Sequence, residues 1–199
     1  MKEEGYIKFH LNWIEKECID DTLIEDINKV RTKLYDMGLI GEYANGIGFG
    51  NISKRIIENQ FIISGSQTGG HRVLRSKHYS LVTGFDIEKN QVNCIGLVKA
   101  SSESLTHGII YKNLPDINSV IHIHNLKYWN ILIDKVPSTL ETIEFGTPEL
   151  ANDIIRLINN CELKEKKIFA MKGHKEGIVT FGQTVEEALD ILLHYINLE

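Results

Sequence analysis

Cysteine and proline are both scarce in this sequence, with three of each among 199 residues. Cys18, Cys94 and Cys161 lie far apart and are odd in number, which argues against a disulfide framework or a CxxC metal site. We interpret them as reduced cysteines that serve packing. No stretch approaches the ~20 apolar residues that a membrane-spanning helix needs. The acidic start lacks the apolar core of a signal peptide, so we expect a cytoplasmic protein without a membrane partner.

The sequence also lacks an excess of basic residues. It contains 22 lysines and arginines against 27 aspartates and glutamates, a formal net charge of −5. Nucleic-acid-binding proteins usually carry a basic face, so we expect no nucleic-acid partner. A phosphorylated small substrate stays compatible with this charge, because a local pocket rich in amides can bind an anion within an acidic protein. Hydrophobic residues make up 42% of the chain, enough for residues 1–199 to form a single domain.

Candidate strands and helices alternate irregularly along the chain. Apolar residues at helical spacing follow Asp20 and end before Gly38, which predicts a helix. The β-like runs 79–85 and 91–97 are joined by a short polar turn and indicate a hairpin. We therefore expect an α/β protein with a largely antiparallel sheet flanked by helices. The other predicted strands are 61–64, 119–124, 167–171 and 177–181, and the other predicted helices are 101–113, about 125–133, one capped by Thr147 and one capped by Thr184.

Two histidines at alternate positions, His122 and His124, stand in an apolar run predicted to be a strand. Successive side chains of a strand point to opposite faces, so both imidazoles share one face while Ile121 and Ile123 share the other. Two unrelated half-buried histidines are the alternative interpretation. The spacing favours a metal site, with zinc as the first choice for imidazole ligands and iron, manganese or cobalt as others. Two ligands are too few, so more must come from elsewhere in the chain.

Three further segments are rich in small polar residues and glycine. Residues 101–103 open a predicted helix with Ser-Ser-Glu, where backbone amides and hydroxyls favour an anion; a plain helix cap is the alternative. The runs 48–53 and 64–70 indicate loops with small hydrogen-bond donors, although ordinary turns show the same pattern.

The remaining histidines have weaker patterns. His174 lies in a loop before the strand 177–181, where it could supply a third metal ligand or be merely exposed. His107 follows Glu103 by four residues on the same predicted helix face, so it is either structural or placed behind the site. We interpret the others as structural or surface residues: His10, His71, His78 and His194.

Taken in order, these motifs resemble the class II aldolase/adducin family. That family includes fuculose-1-phosphate aldolase, rhamnulose-1-phosphate aldolase, ribulose-5-phosphate 4-epimerase and methylthioribulose-1-phosphate dehydratase. The resemblance covers about residues 22–197. The matching motifs are Gly50-Asn51-Ile52-Ser53, Ser64-Gly65, Ser101-Ser102-Glu103, His122-Ile123-His124 and the glycine-flanked segment around His174.

The resemblance implies a three-layer α/β/α fold with a central, mostly antiparallel sheet. It also implies a homotetramer with active sites between subunits and a bound Zn²⁺ or another divalent metal such as Mn²⁺, Fe²⁺ or Co²⁺. By the same resemblance Glu103 is the catalytic acid and base. The implied metal ligands are His122, His124 and His174, and the implied phosphate-binding residues are Asn51, Ser64, Gly65, Ser101 and Ser102.

The chain departs from the family pattern at the third metal ligand. The family places a histidine directly before a glycine at this strand entry, whereas this sequence has Glu176 before Gly177. Either a two-residue bulge delivers His174, or Glu176 replaces the histidine. Gly173 permits an unusual backbone path, and a third neutral imidazole keeps the full charge of the cation, so we favour His174.

The activity implied by the resemblance is cleavage of a ketose 1-phosphate into dihydroxyacetone phosphate and an aldehyde. A sugar-phosphate dehydratase or 4-epimerase is the alternative, because each of these reactions needs a stabilised enolate or a polarised carbonyl. A non-catalytic adducin-like binding protein is a third reading of the family, which the presence of Glu103 beside both strand histidines disfavours.

Overall fold

The computed structural model describes residues 5–160 and 162–197. Residues 1–4, on which the argument against a signal peptide depends, and Cys161 lie outside these ranges, as do residues 198–199. The strands are β1 (His10–Glu15), β2 (Gly41–Glu42), β3 (Gly48–Phe49), β4 (Asn51–Ile57), β5 (Gln60–Ser64), β6 (Tyr79–Asp86), β7 (Gln91–Gly96), β8 (Ser119–His124), β9 (Ile168–Ala170) and β10 (Gly177–Gly182). The helices are α1 (Glu25–Asp36), α2 (Ser104–Asn113), α3 (Leu126–Leu132), α4 (Pro148–Asn159), α5 (Glu162–Lys166) and α6 (Val185–Ile196).

Eight strands form one sheet in the order β1-β7-β6-β5-β4-β8-β10-β9. β1 runs parallel to β7, and the other neighbouring strands are antiparallel. The prediction of an α/β fold with a mostly antiparallel sheet is therefore confirmed. The register sets Asn51 of β4 opposite His122 and Gly177 of β10 opposite His124. The sheet thus brings three distant chain segments to one place.

Helices cover both faces of the sheet. One apolar core lies between the sheet and α2, α4 and α5, and the other lies between the sheet and α1, α3 and α6. β8 contributes Val120 to the first core and Ile121 and Ile123 to the second. Because side chains alternate along a strand, His122 and His124 lie on the same face as Val120, towards α2. The face expected from the sequence spacing is the one observed.

Side-chain caps start several helices where the sequence predicts them. Thr147 and Thr184 each accept a hydrogen bond from an amide in the first turn of α4 and α6. α2 begins at Ser104 rather than at residue 101, because residues 101–103 form a turn in which Ser101 Oγ accepts from the amide of Glu103. Within the described ranges, no helix is long and apolar enough to cross a membrane.

The structure differs from the sequence-based predictions in three places. The edge strand β1 was not predicted, because its alternation of polar and apolar residues is weak. Residues 48–53, expected as a loop, form β3 and the start of β4, with Gly50 at a φ of 72° between them. Cys94 is buried, as a packing residue should be, but Cys18 is exposed, so the packing interpretation of Cys18 is wrong.

Candidate functional site

Three histidine side chains meet at the end of β8. His122 and His124 project from that strand, and His174 projects from the loop between β9 and β10. The ring centroids of His122 and His124 are 4.8 Å apart. The ring centroid of His174 lies 5.3 Å from that of His122 and 4.7 Å from that of His124. One potential ligand atom from each ring lies within 4.8 Å of the other two, and all three residues are buried. Three converging imidazoles are a typical donor set for zinc and related divalent cations.

The surroundings of His122 fit a metal ion. Its Nε2 is buried and has no hydrogen-bond partner among the residues that the structure describes. Gly177 lies beside this nitrogen, and a Cβ added there would come within 3.1 Å of it. Burial, followed by the neighbouring rings of His124 and His174, holds the pKa of His122 well below its ordinary value of 6.5. The ring is therefore neutral at neutral pH, as a metal ligand must be.

Tyr43 sets the tautomer of His124. Its hydroxyl donates to Oε2 of Glu176 at 2.8 Å and lies 3.0 Å from Nδ1 of His124. A phenol has one hydroxyl proton, and Tyr43 directs it to Glu176. The Tyr43 oxygen can therefore only accept from Nδ1–H of His124. Nε2 of His124 then keeps its lone pair for a metal. A partner that fixes a ligating histidine in this way also raises its basicity as a ligand.

The loop before β10 places His174, and not Glu176, in the histidine cluster. Its two turns are closed by bonds from the amide of His174 to the carbonyl of Met171 and from the amide of Gly177 to the carbonyl of His174. Glu176 has a φ of 76°, and its carboxylate accepts the bond from Tyr43. The displaced histidine that the sequence analysis favoured is therefore the one positioned for a metal.

An aromatic ring and a lysine support His174 from the side. The Phe145 ring stacks on the His174 ring with centroids 4.4 Å apart. Nζ of Lys8 lies 3.8 Å from the Phe145 centroid and donates to Glu144 at 3.0 Å. Sequence reasoning did not find Phe145, Lys8 or Tyr43, because no local motif marks them and their partners are distant in the chain.

Glu103 lies directly beside the cluster. It is 2% exposed, and its Oε1 is 3.5 Å from Nδ1 of His174. Oε2 accepts a hydrogen bond of 2.7 Å from Oγ1 of Thr106, one turn further along α2. The carboxylate makes no side-chain capping bond to α2. The helix-cap alternative therefore does not account for Glu103, whose carboxylate is held against the histidines instead.

A cleft runs from the cluster towards the glycine-rich segment after β5. It has a volume of about 370 Å³ including its open mouth. Of the expected phosphate-binding residues, Asn51, Gly65, Ser101 and Ser102 line it, but Ser64 does not. Oγ of Ser64 accepts from the amide of Ile52 and so joins two strands. The other lining residues are Gly5, Gly48, Gly50, Ser66, Gln67, Thr68, Gly69, Glu103 and His122.

Asn51 connects the cleft to the histidine cluster. Its Nδ2 lies 3.3 Å from Nδ1 of His122, and its Oδ1 is buried without a partner in the described part of the chain. The two ends of an amide have nearly the same shape. Turning this amide over lets Oδ1 accept from Nδ1–H of His122, which leaves Nε2 free for a metal. The NH₂ group then faces the cleft as a donor for an anion.

Behind Glu103, His107 belongs to a buried hydrogen-bond chain. Its Nδ1 lies 2.7 Å from Oγ of Ser53, which in turn lies 2.6 Å from the hydroxyl of Tyr111. His107 is fully buried, and burial lowers its pKa to about 3. These hydrogen bonds connect α2 to β4. They therefore favour a structural role for His107.

The chain matches the family model for the Class II Aldolase and Adducin N-terminal domain over residues 37–198. Because this match spans most of the chain, the protein belongs to that family. Class II aldolases use a divalent metal, and the three histidines are positioned to bind one. The family predicted from the sequence motifs is thereby confirmed.

The fold is also similar to solved structures of related proteins. An L-fuculose 1-phosphate aldolase matches with a TM-score of 0.68 and 19% identity, over 91% of this chain and 84% of that one. A sugar-phosphate aldolase from Thermotoga maritima matches with a TM-score of 0.62 and 21% identity, over 87% of this chain and 90% of that one. At these identities the similarity establishes the fold.

A sequence match of a different kind covers a shorter part of the chain. The probable L-ribulose-5-phosphate 4-epimerase UlaF of Mycoplasma pneumoniae is 30% identical over 77 residues. These residues are 39% of this chain and 30% of the epimerase. The match therefore spans under a third of that protein.

We predict that His174→Ala loses the bound metal whereas Glu176→Ala keeps it. The reason is that His174 lies in the cluster, while Glu176 contacts it only through Tyr43. The measurement is the molar ratio of metal to protein after saturation with Zn²⁺ and removal of unbound ion. Metal lost from Glu176→Ala and retained by His174→Ala would reverse the assignment of the third ligand.

Replacing Tyr43 with phenylalanine should weaken metal binding by about 10- to 100-fold, as for other partners that orient a ligating histidine. The substitution keeps the ring but removes the oxygen that accepts from His124. Competition with a chelator of known affinity measures the change. Tyr35→Phe is the matched control, because the Tyr35 hydroxyl donates to the carbonyl of Gly70 and not to a cluster histidine. Equal affinities in the two variants would contradict the role of Tyr43.

The metal-free protein should lose stability as the pH falls below about 6.5. The unfolded chain takes up a proton on His107 in this range, whereas folded His107, with its pKa lowered to about 3, does not. The contribution of His107 to the free energy of unfolding should therefore be constant above pH 6.5 and decline between pH 6.5 and 3. Urea titrations across this range, with chelator present, should show a shallower decline for His107→Asn, which retains a nitrogen or oxygen near Ser53. An unchanged decline would show that His107 does not contribute.

Proposed function

We propose that this protein is a metal-dependent class II aldolase that cleaves a ketose 1-phosphate into dihydroxyacetone phosphate and an aldehyde. The observation that carries the proposal is the position of Glu103. Its carboxylate lies beside the histidine cluster, and Glu103 lines the cleft together with Ser101 and Ser102. A proton-transfer group, a metal donor set and small polar groups for an anion thus adjoin one another. That combination suits cleavage next to a polarised carbonyl.

His122, His124 and His174 would hold the cation, with Zn²⁺ or another divalent metal such as Mn²⁺, Fe²⁺ or Co²⁺ as the occupant. When bound, the cation supplies the Lewis acidity that polarises a substrate carbonyl group. The three imidazoles are neutral donors, so they leave the positive charge of the cation undiminished. Tyr43 and Asn51 keep two of the rings in the orientation that metal binding requires.

The polar end of the cleft would bind the phosphate group. Ser101 and Ser102 both line the cleft, just before the start of α2. The dipole of α2 favours an anion at this end, although the amides of Glu103 and Ser104 already donate to Ser101. The NH₂ group of Asn51, in the orientation that allows His122 to bind a metal, is another donor. Gly65 shapes the cleft wall, but its amide already donates to the carbonyl of His78.

Glu103 would transfer the proton. In the cleavage direction it accepts the proton from the hydroxyl on the carbon that becomes the aldehyde. It then returns a proton to the carbon that the aldehyde has left, which balances the reaction. Thr106 holds Oε2 of Glu103, so Oε1 is the atom that faces the cluster. The carboxylate is therefore fixed before substrate arrives.

A 4-epimerase is the second candidate, favoured by the sequence match to the probable L-ribulose-5-phosphate 4-epimerase. Epimerisation by breaking and reforming a carbon–carbon bond would use the same carboxylate and the same cation. A dehydratase is the remaining alternative on this site. The family resemblance extends the proposal to a cytoplasmic homotetramer with active sites between subunits. Sedimentation equilibrium would test whether the protein is a tetramer.

An assay for dihydroxyacetone phosphate should detect its release from at least one member of a panel of ketose 1-phosphates. The release should stop when the metal is chelated and resume when it is restored, because carbonyl polarisation depends on it. The same panel should include pentulose 5-phosphates, with products separated by chromatography. Interconversion of pentulose 5-phosphates without release of dihydroxyacetone phosphate would identify an epimerase and contradict the aldolase.

Glu103→Gln should lower turnover by roughly 10²- to 10⁴-fold, the usual contribution of a general acid–base group. The amide preserves the shape of the side chain but cannot accept the proton. Metal content should stay unchanged, because Glu103 is not in the donor set. Glu149→Gln is the matched control, since Glu149 is an exposed acidic residue in the first turn of α4. Equal turnover in the two variants would leave Glu103 without a catalytic role.

A further inference from the structure

We propose that Arg31 is a positioning residue for the anion-binding wall of the cleft. In this proposal, Arg31 binds the carbonyl groups of residues 68, 69, 71 and 72 on the side away from the cleft, so that backbone amides of the same segment face the substrate phosphate. The inference rests on the proposed function, because it assumes that the cleft binds a phosphate group. It concerns a residue on α1 that belongs to none of the motifs found in the sequence.

Arg31 is 1% exposed, and its guanidinium is bound by main-chain carbonyl groups. Nη2 donates to Thr68 at 3.2 Å and to Gly69 at 3.1 Å. Nη1 donates to Arg72 at 2.9 Å and also to His71. Within the described ranges, Arg31 forms no ion pair with a carboxylate. A buried cation whose partners are four successive or near-successive carbonyls determines the path of that segment.

The orientation of these carbonyls also decides where the amides point. In a trans peptide unit the C=O and N–H groups point in opposite directions. When the carbonyl of Thr68 faces Arg31, the amide of Gly69 in the same peptide unit points away from it. Gly69 lines the cleft. The arginine on one side of the segment thus directs a donor to the other side.

The amides in this segment divide into two groups. Those of Gly65 and Ser66 donate to the carbonyls of His78 and Lys99. In the described part of the chain, the amides of Gln67, Thr68 and Gly69 make no such bond, and all three residues line the cleft. Successive unbonded amides form a concave site for anions. The positive guanidinium behind the segment adds a favourable charge at short range.

The segment is also packed closely against its neighbours. A Cβ added to Gly69 would lie 2.0 Å from the carbonyl oxygen of Gly41, so only glycine fits there. On the α1 side, Asn28 exchanges two side-chain bonds with the backbone of Leu74, and the Tyr35 hydroxyl donates to Gly70. Asn28, Arg31 and Tyr35 lie on one face of α1. Arg31 is the member of this face that bonds the carbonyls of two cleft-lining residues, Thr68 and Gly69.

Arg55 provides a matched control. Its guanidinium also donates to four main-chain carbonyls, those of Glu58, Tyr111, Leu114 and Ile117. These partners lie around the end of α2 and do not line the cleft. Removing Arg55 should therefore cost stability without changing the affinity for an anion. A difference between the two arginines isolates positioning from general destabilisation.

The experiment is calorimetric titration of the metal-loaded protein with inorganic phosphate. Arg31→Ala should bind phosphate about 10- to 100-fold more weakly than the wild type, the range found for residues that orient a ligand-binding group. Arg31→Lys, which keeps the charge but not the planar fork, should also bind more weakly. Arg55→Ala should bind like the wild type, and metal content should be unchanged in all variants. Millimolar guanidinium chloride should restore phosphate binding to Arg31→Ala by refilling the vacated space.

The outcomes separate this inference from the proposed function. Full phosphate affinity in Arg31→Lys and Arg31→Ala would overturn the positioning role while leaving the phosphate cleft in place. An equal loss of affinity in Arg55→Ala would also overturn it, because the effect would then follow stability alone. If Arg31→Ala does not fold, Arg31→Lys decides by the same criterion. A wild-type protein that binds no phosphate would contradict the phosphate cleft itself, and the inference with it.

Discussion

The burial of three imidazole rings at one point is the constraint on which the rest of this site depends. An unpaired imidazole nitrogen in a buried site is costly, because water is excluded and no protein donor replaces it. Nε2 of His122 is such a nitrogen within the described structure. A divalent cation satisfies it at once and explains why His124 and His174 lie so near. The same burial holds the pKa of His122 well below its ordinary value, so this ring is unprotonated at neutral pH and available as a ligand.

The surrounding residues follow from that constraint. Each strand histidine needs its proton on Nδ1, and Asn51 and Tyr43 lie at Nδ1 of His122 and His124. Glu176 completes the arrangement by accepting the hydrogen bond that Tyr43 donates. The site is therefore built from the strand outwards. On the cleft side, the carbonyls of Thr68 and Gly69 accept hydrogen bonds from Arg31.

The sequence was sufficient to predict the parts of the site that depend on local periodicity. The strand over 119–124 and the shared face of its two histidines follow from alternation alone, and the structure has both. The third metal ligand could be narrowed to His174 or Glu176, but the local sequence could not decide between them. The choice depends on a φ of 76° at Glu176 and on a hydroxyl 133 residues away in the chain. No spacing rule contains that information.

Other residues could not be found because their chemistry is created by tertiary contacts. Arg31 has the pattern of an ordinary helical residue until its partners 37 to 41 residues later are known. Ser64 is the opposite case, because its motif suggested a place in the cleft. Its hydroxyl instead accepts from the amide of Ile52 and joins β4 to β5. Strand β1 lacked clear alternation, so its place at the sheet edge emerged only from the pairing with β7. The motifs thus indicated which segments form the candidate site. Long-range packing determined which residues of each motif lie in it.

The most direct test of the account is X-ray absorption spectroscopy of the protein loaded with one equivalent of Zn²⁺. The account predicts a metal bound by three imidazole nitrogens at about 2.0–2.1 Å. His174→Ala, which should not retain the metal, should lack the multiple-scattering signature of a zinc ion bound by imidazole. A spectrum of the wild-type protein with fewer than three imidazoles would contradict the central claim that His122, His124 and His174 form one metal site.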